Sequence, residues 1–195
     1  MEKTTGSWMK KSVVALLALL VAGCCMLLAG CAEENSEEAV RKVVTEELDQ
    51  VKNIDEAAIE ELAGDSSEFQ ELETYGITAT DAYNAVFSDF DYQIESVEVD
   101  GDTATVGVKF TTKDFTKFQS ALTEAAQKAS TDGSLTGLST QQLNEKIGQL
   151  VMDVIKDLPT TETDVVELEC TKTNGKWELD DSAGDAFAAE VFPVM

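Results

Sequence analysis

The chain has 195 residues, with 38 acidic and 14 basic side chains, no histidine and a formal charge of −24. A surface that negative repels nucleic-acid phosphates, so nucleic-acid binding is excluded, and it repels anionic headgroups too. The missing histidine removes the Ser–His–Asp and Cys–His nucleophilic systems and the histidine-bearing zinc motifs in one step.

The first thirty residues have the order of a secretory signal. Lys3, Lys10 and Lys11 form a basic region, Ser12 to Gly30 carries no charge, and Leu28-Ala29-Gly30 gives small residues before Cys31. The charge then flips to Glu33, Glu34, Glu37 and Glu38. A run of about 18 apolar residues can also span a bilayer as an uncleaved anchor, and the basic flank would orient such an anchor the same way. Both readings put the body of the protein outside the cytoplasm.

Leu28-Ala29-Gly30-Cys31 resembles the lipobox of bacterial lipoproteins, which implies cleavage after Gly30 and a diacylglyceryl group on the Cys31 thiol. Val21-Ala22-Gly23-Cys24 is a second match; cleavage there would leave an apolar terminus, Cys25-Met26-Leu27-Leu28, where cleavage at Cys31 leaves a polar tether. Residues 1–30 are thus expected to be a signal peptide, 31–36 a lipidated tether and 37–195 one acidic domain. Two or more acyl chains hold a protein on a bilayer where one holds it only marginally. The expected location is the extracytoplasmic face of the cell membrane. Three basic residues and Glu2 precede Cys31, so the part from Cys31 onward carries −26. With Cys24 and Cys25 lost and Cys31 acylated, Cys170 has no disulfide partner.

The domain opens with helices. Ser36 caps a pattern with Val40, Val43, Val44, Leu48 and Val51 on one face. Asp55 to Ala63 is a short helix with Ile59 and Leu62 inward, stopped by Gly64, and another carries Phe69 and Leu72 and ends at Gly76. Thr78 with Asp81 caps a helix bearing Tyr83, Val86, Phe87 and Phe90.

The period then changes to that of strands. Tyr92 and Ile94 share one parity, Val97 and Val99 the other, which predicts a bulge near Glu95–Ser96. Asp100-Gly101 signals a hairpin. Ala104, Val106, Val108 and Phe110 then alternate with a wet face of Thr103, Thr105, Gly107 and Lys109. A helical pattern returns with Phe115, Phe118, Leu122, Ala125 and Ala129, and a Gly/Ser/Thr-rich loop follows from Thr131 to Leu138. Ser139 and Gln142 open a helix whose inward face reads Leu143, Ile147, Leu150, Val151, Val154 and Leu158, ended by Pro159. Val166, Leu168 and Cys170, then Asn174-Gly175, then Trp177 and Leu179 form a second hairpin. A last helix from Ser182 to Val191 offers Phe187 and Val191 for docking. The expected fold is α+β, a four-stranded antiparallel sheet from two hairpins with helices on one face.

The lipobox, the N-terminal helices and the segments Glu98-Val99-Asp100-Gly101-Asp102-Thr103-Ala104-Thr105-Val106 and Thr173-Asn174-Gly175-Lys176-Trp177-Glu178-Leu179-Asp180 resemble small lipoproteins of Gram-positive bacteria with a domain of unknown function. The resemblance implies a cone-like sheet wrapped on helices, as in nuclear-transport-factor-2-like and cystatin-like folds. It implies no catalytic residues. The helical pair between the hairpins departs from that topology.

No glycine-rich phosphate loop is present, and no Ser-x-x-Lys follows the signal. Three acidic clusters, Asp89/Asp91, Asp100/Asp102 and Asp180/Asp181/Asp185, lack the constrained ring of oxygens calcium needs and read as turns and caps. Neither a metal nor a cofactor is expected. The expectation is a non-enzymatic binding or interaction module with an envelope protein as partner. The alternative is a small-ligand receptor with an apolar pocket lined by Tyr92, Phe110 and Trp177, between sheet and helices. Changing Cys31 to Ala should abolish labelling by radioactive palmitate and leave an unprocessed precursor. Label that survives on this variant and disappears only when Cys24 is changed would move the site.

Overall fold

The computed structural model describes residues 36–64 and 66–191, so the cleavage position at Gly30 and Cys31 lie outside the described residues. Four helices come first: α1 (Ser36–Asn53), α2 (Glu56–Ala63), α3 (Ser67–Glu73) and α4 (Ala79–Phe87). In α1, Val40, Val44, Leu48 and Val51 are buried, with Glu37 and Glu38 in the first turn and Lys52 in the last, as the helix dipole favours. Asp55 accepts a hydrogen bond from the Ala58 N–H at the start of α2, and Thr78 accepts one from Asp81 at the start of α4. No helix among the described residues is long and apolar enough to cross a membrane.

Strands β1 (Asp91–Asp100) and β2 (Thr103–Lys113) form the first hairpin, and the register shifts between Ile94 and Ser96. The shift puts Tyr92, Ile94, Val97 and Val99 opposite Phe110, Val108, Val106 and Ala104, all on one face. After β2 come a 3₁₀ turn (Phe115–Lys117), α5 (Phe118–Thr131) and α6 (Thr140–Asp157). Strands β3 (Thr160–Glu162), β4 (Val166–Thr173) and β5 (Lys176–Leu179) follow, then α7 (Ser182–Val191). The sheet order is β1-β2-β4-β5, with β3 also on β2. Helices α1, α4 and α7 pack on the sheet, while α5 packs on α6 and α6 on α4.

The two hairpins make the sheet as the alternation indicates, and β3 adds a fifth, short strand. Thr160-Thr161-Glu162 is exposed throughout and has no apolar alternation to announce it. It continues the β4 edge: Thr163 between them donates its N–H to the Phe110 carbonyl (2.9 Å) and accepts the Phe110 N–H on its hydroxyl (3.1 Å). A threonine side chain thus replaces a backbone carbonyl where the strand is interrupted.

Helix α6 buries part of the face its periodicity indicates, with Val154 and Leu158 inward and Val151 packed on the core, but is rolled away from the rest of it. Gly148, Met152, Val154 and Ile155 are the buried positions in the helix, whereas Ile147 is 40% exposed. Gly148 explains the roll, since a Cβ there would stand 2.1 Å from the Tyr75 carbonyl oxygen. Only glycine permits so close an approach to the α3–α4 connection.

Lys113 ends β2 with a side chain only 4% exposed. Its ammonium donates to the carbonyls of Lys156 (2.8 Å) and Leu158 (3.4 Å) and pairs with Asp89 Oδ2 at 2.6 Å. It therefore caps the C-terminus of α6, where unpaired carbonyls and the dipole both favour a cation. The ammonium beside Asp89 holds that carboxyl below the usual carboxylate range, first by hydrogen bonding and then by charge. Lys113→Met should destabilise the protein by about 1–3 kcal/mol, the scale of leaving buried partners unpaired. A carboxyl lowered on folding stabilises above its unfolded pKa, and that part is lost as pH falls through the lowered value. Urea midpoints should therefore show the gap between wild type and variant narrowing on acidification below the carboxylate range. A gap constant with pH would assign the whole effect to the carbonyl contacts.

Candidate functional site

Phe110 has no solvent exposure and occupies the inward face of β2 among rings from three other elements of the chain. Phe187 of α7 meets it edge-on at 4.8 Å, and Phe90, just after α4, stacks on it at 6.0 Å. Phe90 also meets Phe187 at 5.6 Å and Phe87 at 5.8 Å, both edge-on. Such spacings are those of aromatic pairs in contact, each adding about 0.5–1.5 kcal/mol beyond burial of area.

Tyr92 stands opposite Phe110 on β1, with its ring 6.4 Å from Phe90. Its hydroxyl donates to Asp49 Oδ1 at 2.7 Å, and its pKa is pushed up to about 12 by burial and then by that carboxylate. Tyr92 and Phe110 thus belong to one packed group. Trp177 belongs to the same buried core but stands far from them along the sheet. It is buried opposite Lys172 on β4, one residue beyond Thr171, which pairs with Thr103. Thr103 and Phe110 are seven residues apart on β2, which is roughly 23 Å at strand rise. The Lys172 ammonium lies 5.6 Å from the centre of the indole ring. An open concavity of about 650 Å3 lies elsewhere, along α5, lined by Leu122, Thr123, Ala126, Gln127, Ser130 and Thr131.

Several of the titratable groups singled out in the sequence are buried or paired locally. Cys170 is buried on the inward face of β4, and burial first, then Glu169 and Asp180, push its thiol up to about 12. A thiol held protonated is a poor nucleophile. Asp89 pairs with Lys113, and Asp91 pairs with Lys52 at 2.9 Å. The Asp100 carbonyl accepts the Thr103 hydroxyl, and Asp180 accepts the Thr171 hydroxyl at 3.3 Å. Among the described residues, no three His, Cys, Asp or Glu side chains converge as metal ligands would.

Among the described residues, the outward face of the sheet is left open to solvent. Glu95 and Glu98 on β1, Glu167, Glu169 and Thr171 on β4, and Lys176 and Glu178 on β5 are all exposed. Thr105 at the centre faces Glu98 on one side and Glu169 on the other, and its hydroxyl lies 3.3 Å from Glu169 Oε1. Lys109 reaches Glu95 at 3.9 Å. Gly107 forms the floor: a Cβ there would meet Ser96 Oγ at 2.6 Å and Val165 Cγ1 at 3.0 Å, and Val165 itself is 48% exposed. The alternation that marks Thr103, Thr105 and Lys109 as wet was the signal for this surface, but carboxylates on β1, β4 and β5, with β2 between the first two, become one face only when the register is known.

No protein-family model matches the chain, and no curated protein matches it. One solved structure does. It is that of a "putative lipoprotein (ycdA)" from Bacillus subtilis, similar with a TM-score of 0.44 and 15% identity over 96% of this chain and 59% of that one. The chain therefore spans 59% of the length of that protein.

Proposed function

We propose that the protein is a lipid-anchored extracytoplasmic module that works by binding a partner at its surface and carries out no catalysis. The observation that supports this most is the contrast between its two sheet faces. The inward face is filled around Phe110, which has no exposure, while the outward face is uncovered and carries Glu95, Glu98, Glu167, Glu169 and Glu178. A chain of charge −24 attracts cationic partners over a distance and repels anionic ones. The partner class that fits is an envelope protein with a basic patch. The Leu28-Ala29-Gly30-Cys31 sequence supports the anchor, which would keep the module at the membrane surface while it binds.

The alternative is a small-ligand receptor, for which the concavity along α5 supplies room. Native mass spectrometry of the full chain, extracted in mild detergent from the cell that makes it, separates the two readings. A retained polypeptide that dissociates at raised salt, and is lost in the Glu98→Lys, Glu169→Lys double variant, is the expected result. A retained small molecule without polypeptide would overturn it in favour of the receptor.

A further inference from the structure

Three Asx-Gly pairs lie in exposed turns: Asp100-Gly101, Asp132-Gly133 and Asn174-Gly175. Their glycines have φ of 64, 78 and 81°. The three differ in chemistry. Asp100 and Asp132 carry carboxyl groups, and that of Asp132 accepts the Ser134 N–H at 2.8 Å and is held below the usual carboxylate range. An ionised carboxylate resists nucleophilic attack, whereas the neutral side-chain amide of Asn174 does not. Among the described non-glycine residues, Asn174 alone has positive φ, at 53°. Both residues are exposed, and a Cβ built on Gly175 would meet nothing within 4 Å, so the turn tip is open to solvent base.

We propose that the Asn174-Gly175 turn is a site of spontaneous covalent modification in the folded protein, with water as the co-reactant. The Gly175 backbone nitrogen loses its proton to solvent base and bonds to Asn174 Cγ. The Cγ–Nδ2 bond then breaks and the nitrogen leaves as ammonia with a proton taken from solvent, closing a succinimide. Water opens the ring in one of two ways. Attack at Cγ restores the normal chain with aspartate at 174, and attack at the backbone carbonyl carbon routes the chain through Cγ as isoaspartate. The Gly175 nitrogen regains a proton in either case, so amide plus water becomes acid plus ammonia with no redox change.

The site is placed where the product has structural consequences. Thr173 and Lys176 pair directly across the two turn residues, so isoaspartate inserts an extra backbone atom into a loop with no slack. Strand β5 has four residues and carries the buried Trp177, and at its other end the Cys170–Leu179 pair closes the ladder. Loss of the turn register loosens the attachment of that indole. A two-residue turn at a sheet tip opens locally without global unfolding, which gives Gly175 access to Cγ in the native protein.

The test is to age the full chain in heavy-oxygen water at neutral and mildly alkaline pH and map its peptides by mass. A free peptide spanning residues 170–180 serves as the unfolded reference. Heavy oxygen should enter at Asn174 ahead of every other asparagine and faster at the higher pH, with isoaspartate among the products. The isoaspartyl fraction should have a lower urea midpoint than the Asn174→Asp variant, which carries the same charge on a normal backbone. Asn174 remaining intact while the free peptide converts would overturn the proposal. So would a rate that rises with urea in step with global unfolding, because the reaction would then belong to the unfolded chain.

Discussion

Strand β2 is held along both of its edges, and the rest of the domain is arranged by that. β1 runs along one edge, and β4 then β3 run along the other. Ala104, Val106, Val108 and Phe110 bury almost completely against α1, α4 and α7. Fully burying one Val- or Phe-sized side chain contributes about 1.5–3 kcal/mol. Three such side chains and Ala104, at alternate positions of a strand paired along both edges, make β2 the place where sheet pairing and core packing reinforce each other. Its outward positions, Thr105 and Lys109, are consequently fixed in register relative to the carboxylates of β1 and β4. The same pairing that fills one face therefore positions the other.

The end of β2 fastens the helical pair inserted between the hairpins. Lys113 brings its ammonium to the last carbonyls of α6 and to Asp89, which lies between α4 and β1. One side chain therefore joins sheet, inserted helices and the helix–strand connection. The middle of α6 is fixed independently by Gly148 against Tyr75. The exposed edge strand β1 is protected by other means. It carries a bulge and exposed acids, and the Arg41 guanidinium donates to the Ile94 carbonyl. These devices oppose edge-to-edge pairing of β1.

Much of this was legible in the residues. Period changes located the helices and both hairpins, and the parity switch between Ile94 and Val97 placed the bulge near Glu95–Ser96, where the register shifts. Asn174 and Gly175 both adopt positive φ, as a two-residue turn of that sequence requires. At Asp100-Gly101 the turn proper is Gly101-Asp102, since Asp100 already pairs with Thr103. What the sequence left hidden depends on tertiary contact. β3 has no apolar signal because its pairing is made entirely by backbone. The α6 stripe located Val154 and Leu158 but missed the roll at Gly148, because a glycine counts for nothing in a hydrophobic stripe, yet determines how closely two backbones meet. Lys113 reads as a solvated strand end until α6 returns to it. Tyr92, Phe110 and Trp177 share an apolar face by parity, but parity says nothing of distance along a strand, and the register separates Trp177 from the other two.

The proposed surface-binding role requires a closed interior around β2. Native-state amide hydrogen exchange tests it most directly. The N–H groups of Val106 and Val108 should exchange only through global unfolding, with opening free energies that fall with denaturant as steeply as the whole protein unfolds. Exchange of these amides through small local openings, as freely as those of α5, would mean an interior that opens to solvent and would contradict the account.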